Sequence, residues 1–161
     1  MKHDQGFSLI ELMVVVVIIA IFAVIAVPSY ERYIAKSYQS QAQAQLLMLS
    51  ERLESYRGRQ LNYAGFVADH EASPGVLYLP EGATAAQYRY KIQILDINTQ
   101  QDLQQSILGQ GYKLIATPYQ EGQRYLRESP SYLLSSMSQK CASLAVLDAT
   151  SLDCGAATQE W

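Results

Sequence analysis

The stretch "GFSLIELMVVVVIIAIFAVIAVP", residues 6 to 28, decides how this chain is organised. Sixteen apolar residues run from Leu12 to Val27 without interruption. The whole apolar segment starts at Phe7, and its 21 positions suffice for a helix that crosses a membrane, which needs about 20. Glu11 is the exception, because a charge in an apolar span is costly and commonly functional. The segment therefore predicts a membrane helix whose carboxylate needs an explanation.

Three interpretations of this segment compete. A secretory signal peptide has a shorter apolar run of roughly 7 to 15 residues and a small-residue cleavage site, for which "AVPSY" is only a fair match. A plain transmembrane anchor fits the length, and Glu11 then lies less than two turns from the helix start, close enough to reach water. The third interpretation takes "QGFSLIEL", residues 5 to 12, as one motif.

This motif resembles the leader of type IV pilins, in which a short charged peptide ends in Gly and is followed by Phe, a small hydroxyl residue, two aliphatics and Glu. The resemblance implies that a prepilin peptidase cuts between Gly6 and Phe7 and methylates the new amino terminus of Phe7. Glu11 then becomes the fifth residue of the mature chain and Pro28 the twenty-second, both positions where the family has these residue types. The resemblance is close over residues 6 to 34 and looser beyond.

The resemblance also divides the chain. It implies a cleaved leader at residues 1 to 6, a transmembrane and filament-core helix at residues 7 to 28, and a globular head at residues 29 to 161 that contains the second half of the helix. The head would lie in the periplasm and then outside the cell.

The same resemblance gives Glu11 a role in subunit docking. Cleavage leaves a positive amine on Phe7, and in the family the partner of the Glu is the amine of a neighbouring subunit. Two unit charges about 4 Å apart attract by roughly 4 kcal/mol at an effective dielectric of 20. Desolvation cancels part of that attraction, so the pair is expected to fix the register between subunits more than to add net stability. The alternative is a carboxylate that reaches water at the membrane surface.

The chain beyond Pro28 is predicted to stay helical to about Arg57. Apolar or amphipathic residues recur there at helical spacing: Tyr30, Ile34, Tyr38, Ala42, Leu46, Leu49, Leu53 and Tyr56. Gly58 supplies a stop signal, with cations on Arg57 and Arg59 beside it. Pro28 removes a backbone donor and its ring clashes with the preceding turn, which predicts a kink. The kink is either an ordinary feature of a membrane helix or, as the resemblance implies, a point where helical order is lost in a filament.

After the helix the sequence predicts an irregular connector and then strands. "NYAG", residues 62 to 65, resembles a short motif that pilins carry after the long helix. Alternating side chains predict strands at residues 88–97 and 141–148. Another strand is predicted at residues 112–118, "YKLIATP", where Pro118 ends it, and a fourth at Val76–Leu79 or in the tail. Consecutive strands joined by turns form an antiparallel sheet. The expected fold class is α+β, a pilin fold in which a long N-terminal α-helix, hydrophobic in its first half and amphipathic in its second, packs on an antiparallel β-sheet of about four strands.

The sequence departs from the family pattern in two places. Residues 119 to 140 lie between the "ATP" strand and the first Cys, where the family usually passes quickly. We interpret this stretch as an insertion for a subunit-specific contact and expect the head to fold without it. Seven further residues, "GAATQEW", follow Cys154, which the family usually places close to the end.

Cys141 and Cys154 are the only cysteines of the chain. A structural metal site would need two more ligands, which the sequence does not supply at suitable spacing. His70 stands between Asp69 and Glu71, and three adjacent side chains converge poorly on an ion, so a solvated loop is expected there. An anchored head in the periplasm favours a disulfide over two free thiols. Closing a loop of about 14 residues would stabilise the head by roughly 3 kcal/mol.

Other features bound the function. No nucleophile motif with a partner His and no Gly-rich phosphate loop is present, so neither an enzyme nor a cofactor is expected. The net charge is −3 and the 12 Lys and Arg residues form no dense run, so direct DNA binding is not indicated.

The resemblance implies a minor pilin of a type IV pilus that serves twitching, adhesion or DNA uptake. Its expected partners are other pilin subunits, the prepilin peptidase and the inner-membrane assembly machinery. The precursor would cross the inner membrane once, and the mature subunit would join a pilus on a Gram-negative cell. The alternative is a pseudopilin of a type II secretion system, although the carboxyl-terminal Cys pair and the order "ATP…C" favour a pilin. A simple anchored binding module is a third class, against which the cleavage motif argues.

Overall fold

The computed structural model describes residues 7–155 and residue 161. The predicted leader, including Gly6 of the cleavage site, lies outside the described residues. Within the described part the chain forms two helices and five strands. In chain order these are α1 Leu9–Gln60, β1 Val76–Leu79, β2 Tyr90–Asp96, β3 Tyr112–Pro118, α2 Arg124–Arg127, β4 Ser131–Ser135 and β5 Lys140–Ser143.

The chain divides between Ile34 and Ala35 into two compact units, which we call the anchor unit and the head unit. In the anchor unit, the carbonyl of Ser8 accepts the first intrahelical bond from the amide of Leu12 at 3.1 Å. The β-branched run that follows lowers intrinsic helix propensity but does not interrupt α1. The helix is long and apolar enough to cross a membrane, as predicted.

The five strands of the head unit form one antiparallel sheet in the order β1-β2-β3-β4-β5, among the residues that the structure describes. Each strand pairs with its neighbour in sequence, which is the topology expected from strands separated by turns. The α+β fold class is confirmed, with five strands instead of about four. The strands predicted at residues 76–79 and 112–118 are found there, and the one predicted at residues 88–97 is shortened to Tyr90–Asp96.

The main core lies between one face of the sheet and one stripe of α1. The stripe is the predicted one in its central part: Ala42, Leu46, Leu49 and Leu53 are fully buried. Opposite them lie the alternate side chains of the three central strands, namely Tyr90, Ile92, Ile94, Tyr112, Leu114, Ala116, Tyr132 and Leu134. Each buried leucine stabilises the fold by about 1.5–3 kcal/mol, so this stripe is what fixes the helix on the sheet. Tyr30, at the start of the predicted stripe, is exposed.

A smaller core lies on the other face of the sheet. Here Leu95, Ile115 and Leu133 pack under the segment that follows β5. The Nζ of Lys113 reaches this segment and donates to the carbonyls of Ala149 at 2.6 Å and Ser151 at 2.9 Å. The sheet therefore separates two apolar layers, which explains why β3 is buried on both faces.

The strand predicted at residues 141–148 is wrong in its second half. β5 ends at Ser143, whose Oγ accepts from the amide of Ala145 at 3.1 Å and turns the chain. Leu147 then enters the smaller core. The alternation beyond Ser143 therefore reflects a segment that lies across the sheet face instead of a longer edge strand.

The interpretation of residues 119–140 as a dispensable insertion is also wrong as regards folding. This stretch contains α2 and β4, and β4 lies between β3 and β5 in the sheet. Its side chains Tyr132 and Leu133 are buried in the two cores on opposite faces. Removing the stretch would therefore take an internal strand out of the sheet.

Candidate functional site

The anchor unit presents a continuous apolar surface. Every large apolar side chain from Phe7 to Val27 is exposed, and Phe7 itself is 81% exposed. An exposed apolar surface of this length requires lipid or a protein partner to cover it. The anchor unit is thus built for a membrane or for packing against other chains.

Phe7 and Glu11, the site residues predicted in this unit, are both exposed, so another chain could contact them. Phe7 precedes α1, and Glu11 lies in the first turn of α1 with its side chain exposed. The positive end of the helix dipole favours a carboxylate in the first turn by about 0.3–1 kcal/mol. Pro28 lies inside α1, which is assigned as helix on both sides of it, and the kink at this residue stays a prediction.

The predicted disulfide is present. Cys141 of β5 is bonded to Cys154 with an S–S distance of 2.05 Å, so the alternative of two free thiols is excluded. Both cysteines are buried in the smaller core. Together with the two hydrogen bonds from Lys113, the disulfide fixes the segment after β5 on the sheet face that carries the smaller core.

The "NYAG" segment holds the end of α1 through Tyr63, which is fully buried. The Tyr63 hydroxyl donates to Glu54 Oε1 at 2.7 Å and accepts from Arg57 Nη1 at 3.2 Å. Burial, and then the hydrogen bond with the Glu54 carboxylate, raise the pKa of the Tyr63 phenol above its usual value. The Tyr63 ring therefore stays neutral and connects the last turns of α1 to the loop that follows.

A buried carboxylate organises the loop between β2 and β3. Asp96 is only 1% exposed and accepts hydrogen bonds from the amides of Asn98 at 2.7 Å and Thr99 at 3.1 Å, and from the hydroxyl of Ser106. Burial alone would raise the pKa of Asp96, but these hydrogen bonds stabilise the anion and hold the pKa below its usual value. The loop is thus folded around a charged acceptor.

Gly109 locks this loop onto the "NYAG" segment. Its amide donates to Ser106 Oγ at 2.9 Å, and its carbonyl accepts from the amide of Tyr63 at 2.8 Å. Gly109 has a φ of +50°, and a Cβ at this position would lie 2.2 Å from the amide nitrogen of Ala64. Only glycine allows this approach, so the two loops form one fixed structure at the end of the head unit where α1 ends.

The fixed loops carry residues that sequence reasoning missed. Ile107 is 92% exposed and Leu108 is 65% exposed, although hydrogen bonds from Ser106 and Gly109 hold the loop on both sides of them. The available signal was the adjacent pair of aliphatics in "SILGQG", between a hydroxyl residue and two glycines, which has no periodicity that would place it in a core.

A second surface feature is aromatic and lies beside β1. The rings of Tyr78 and Tyr88 are stacked with centroids 4.8 Å apart, and Tyr119 contacts Tyr88 edge-on at 4.7 Å. Lys91 is the register partner of Tyr78 in β2. All four side chains are half-buried, so they form a packed corner of the sheet more than an open binding face.

His70 lies near this corner and pairs with Glu81, with Nε2 2.9 Å from Oε1. An open groove of about 640 Å³ is lined by His70, Glu71, Ala72, Tyr78, Glu81, Gly82 and Ala83. Within residues 7–155 and 161, no group of three or more His, Cys, Asp or Glu side chains is placed to hold a metal ion. The groove is therefore lined by two carboxylates and one imidazole, and it is open to solvent.

Two family models match the chain. Residues 1–27 match the prokaryotic N-terminal methylation motif. Residues 28–145, well over half of the 161 residues, match the model described as type IV minor pilin ComP, DNA uptake sequence receptor. No curated protein and no solved structure matches the chain.

Proposed function

Because this chain belongs to the type IV minor pilin family described as ComP, DNA uptake sequence receptor, we propose that it binds DNA as a subunit of a type IV pilus. The family is structural and not enzymatic, and its members assemble with other pilins in the pilus. The match over residues 28–145 is the observation that carries the proposal, and it favours a pilin over a secretion pseudopilin. Composition alone did not indicate DNA binding, and the family description is what points to it.

We further propose that a prepilin peptidase cuts between Gly6 and Phe7 and that the amine of Phe7 is methylated. The methylation motif over residues 1–27 supports this. The exposed start of α1 leaves Phe7 open to a second protein. Intact mass and amino-terminal sequencing of pilus-fraction protein test it. A mature chain that begins at Met1, or after Val27, would contradict it.

The route of the chain follows from the same features. We propose that the precursor crosses the inner membrane once through the apolar part of α1, with the head in the periplasm of a Gram-negative cell. The inner-membrane assembly machinery then extracts the processed subunit into the pilus. The exposed apolar surface of the anchor unit suits both environments, since lipid or neighbouring pilin helices would cover it.

Glu11 is proposed to dock on the Phe7 amine of a neighbouring subunit. A positive amine that enters an apolar filament core without a partner would carry a desolvation cost of several kcal/mol. We expect Glu11→Leu to insert in the membrane and be processed normally but to enter pili poorly. Glu11→Asp should be intermediate because it keeps the charge on a shorter side chain.

The measurement for Glu11 is the amount of subunit in sheared pili relative to the membrane fraction. Glu31→Gln is the matched control, because Glu31 is an exposed carboxylate of the same helix beyond the apolar segment. Equal ratios for Glu11→Leu and the natural chain would return Glu11 to the interpretation of a carboxylate that reaches water at the membrane surface.

DNA binding is tested with the full-length protein in detergent and duplex fragments of the host chromosome. We expect saturable binding that weakens with salt, because phosphate contacts release counterions. In cells, loss of the gene should abolish uptake of added DNA while pili remain visible. A strain that lacks the subunit and takes up DNA normally would refute the receptor role.

A further inference from the structure

Three aliphatic side chains project from the end of the head unit where α1 ends. We call Leu61, Ile107 and Leu108 the apolar tip; Leu61 is 87% exposed, and the other two are also exposed. Leu61 lies two residues before Tyr63 and Ile107 two residues before Gly109, and the Tyr63 amide is bonded to the Gly109 carbonyl. The three side chains therefore come from two loops that are joined.

The tip is held rigidly, which distinguishes it from aliphatics on a mobile loop. Asp96 fixes Ser106, Ser106 fixes Gly109, and Gly109 lies against the backbone of Ala64. A rigid scaffold that presents loop side chains to solvent is the usual arrangement of a binding surface.

Leu61 adds an independent observation. Its φ is +63°, the left-handed conformation that follows many helices and that normally selects glycine or asparagine. A leucine there is strained, and this one is exposed and so gains little from packing. The conformation itself caps α1, since the Leu61 amide donates to the Arg57 carbonyl at 2.8 Å, but that cap needs no leucine side chain. The exposed leucine is therefore open to a role outside the fold.

Cations stand next to the tip. Arg57 lies one turn before Leu61, and its guanidinium lies over the Tyr63 ring, 3.9 Å from Glu54. Arg59 is closer in sequence to Leu61, and it donates to the Ser55 hydroxyl at 3.3 Å and to the Ser55 carbonyl at 3.4 Å. Among the described residues no carboxylate lies within ion-pair distance of Arg59, so its charge is available to an anion.

We propose that the apolar tip inserts into the minor groove of duplex DNA, with Arg59 and Arg57 on the flanking phosphates. This rests on the proposed function, because DNA is the ligand that the family description supplies. Proteins that bind and kink DNA from the minor groove frequently insert apolar side chains such as Leu or Ile between base steps, and they also use Arg in their contacts with the groove. The tip has this composition, and its rigidity avoids the cost of ordering the loop on binding.

The test measures affinity and DNA bending with the full-length protein in detergent. The probes are duplex fragments of the host chromosome and a short duplex with a donor and an acceptor dye at its ends. Ile107→Ala should weaken binding about tenfold, since it removes apolar area that would be buried between bases. It should also reduce the bend and leave the salt dependence unchanged, because no charge is lost.

Arg59→Gln should act differently. Removing one phosphate contact should lower the slope of log affinity against log salt by about 0.9. The matched controls are Leu152→Ala, another strongly exposed aliphatic, and Arg127→Gln, another exposed arginine. Both controls should bind and bend DNA as the natural chain does.

Each outcome is decisive. If the natural chain binds DNA but Ile107→Ala binds and bends it equally well, the tip does not insert and the proposed function stands. If Ile107→Ala binds DNA normally but enters pili poorly, the tip contacts another subunit instead and the proposal is overturned. If the natural chain binds no duplex, the proposed function and the tip proposal both fail.

Discussion

Replacing Asp96 by Asn should loosen the loop that carries Ile107 and Leu108 of the apolar tip while leaving the sheet in place. An Asn keeps one oxygen for the amides of Asn98 and Thr99, but those bonds lose charge assistance. Its NH₂ group replaces the oxygen that accepts from Ser106. A hydrogen bond to a charged group contributes about 1.5–3 kcal/mol, against about 0.5–1.5 kcal/mol between neutral groups.

The difference is about 1 kcal/mol for each of three bonds. The smaller cost of burying a neutral amide offsets part of it, so the expected loss at neutral pH is about 2 kcal/mol. For a head of this size such a loss lowers Tm by roughly 8 °C.

The Tm difference between the natural chain and Asp96→Asn should also depend on pH, in a direction that the pKa of Asp96 determines. Because hydrogen bonds depress the pKa of Asp96 in the folded state, the anion stabilises the fold fully above the unfolded pKa of about 4. That contribution is lost as pH falls through the folded pKa. The Tm difference between the natural chain and Asp96→Asn should therefore be largest near neutral pH and shrink in acid.

The assay is thermal unfolding of the full-length protein in detergent, followed by near-UV circular dichroism, with hydrogen exchange over residues 97–111 as the local readout. Glu121→Gln is the control, since it makes the same chemical change on an exposed side chain. Equal Tm values at neutral pH, or a difference that grows in acid, would refute the assignment of Asp96 as the charged centre of the loop.

Three further predictions concern the head unit. Replacing both Cys141 and Cys154 by Ser should cost about 3 kcal/mol of stability without affecting membrane insertion, measured by unfolding and by membrane fractionation; an unchanged Tm would contradict it. Deleting residues 119–140 should unfold the head, seen as rapid proteolysis, because β4 is internal to the sheet; a protease-resistant head would show that β3 and β5 can pair without it. Leu49→Ala should destabilise the head by about 3 kcal/mol, while Leu47→Ala, an exposed change on the same helix, should be near neutral; similar losses for both would contradict the packing of the stripe.

The fold was largely predictable because its strongest elements are periodic. The stripe at Ala42, Leu46, Leu49 and Leu53 fixes the face of α1, alternation locates β2, and Pro118 marks the end of β3. β4 was missed because "SYLLS" is short and is buried on both faces, so it has no alternation to detect. The end of β5 was misplaced because a segment crossing the sheet face can alternate as a strand does.

Some residues of the candidate sites could also be predicted from the sequence, and others could not. Phe7 and Glu11 are recognisable because a leader motif is a fixed order of residues, which one sequence can carry. The apolar tip depends on a contact between Gly109 and Ala64, 45 positions apart in the printed sequence, and on a buried carboxylate whose partners are set by the folded loop. No local pattern encodes these contacts, so exposed aliphatics at the tip look like ordinary loop residues until the structure places them together.

The net charge of −3 indicates that the proposed receptor would make few contacts with DNA phosphates. If only Arg57 and Arg59 contact phosphates, the salt slope should be near −1.8, from 0.9 for each of two contacts. Non-specific binding, which rests on phosphate contacts, would be weak, because the chain as a whole is acidic at a net charge of −3. Affinity would then depend on the free energy needed to unstack the base step into which the tip inserts. Pyrimidine–purine steps are flexible, so this cost is lowest there. A receptor of this kind discriminates by the deformability of DNA. Duplexes that differ only in the number of TA or CA steps should therefore bind the natural chain with different affinities and bind Ile107→Ala alike.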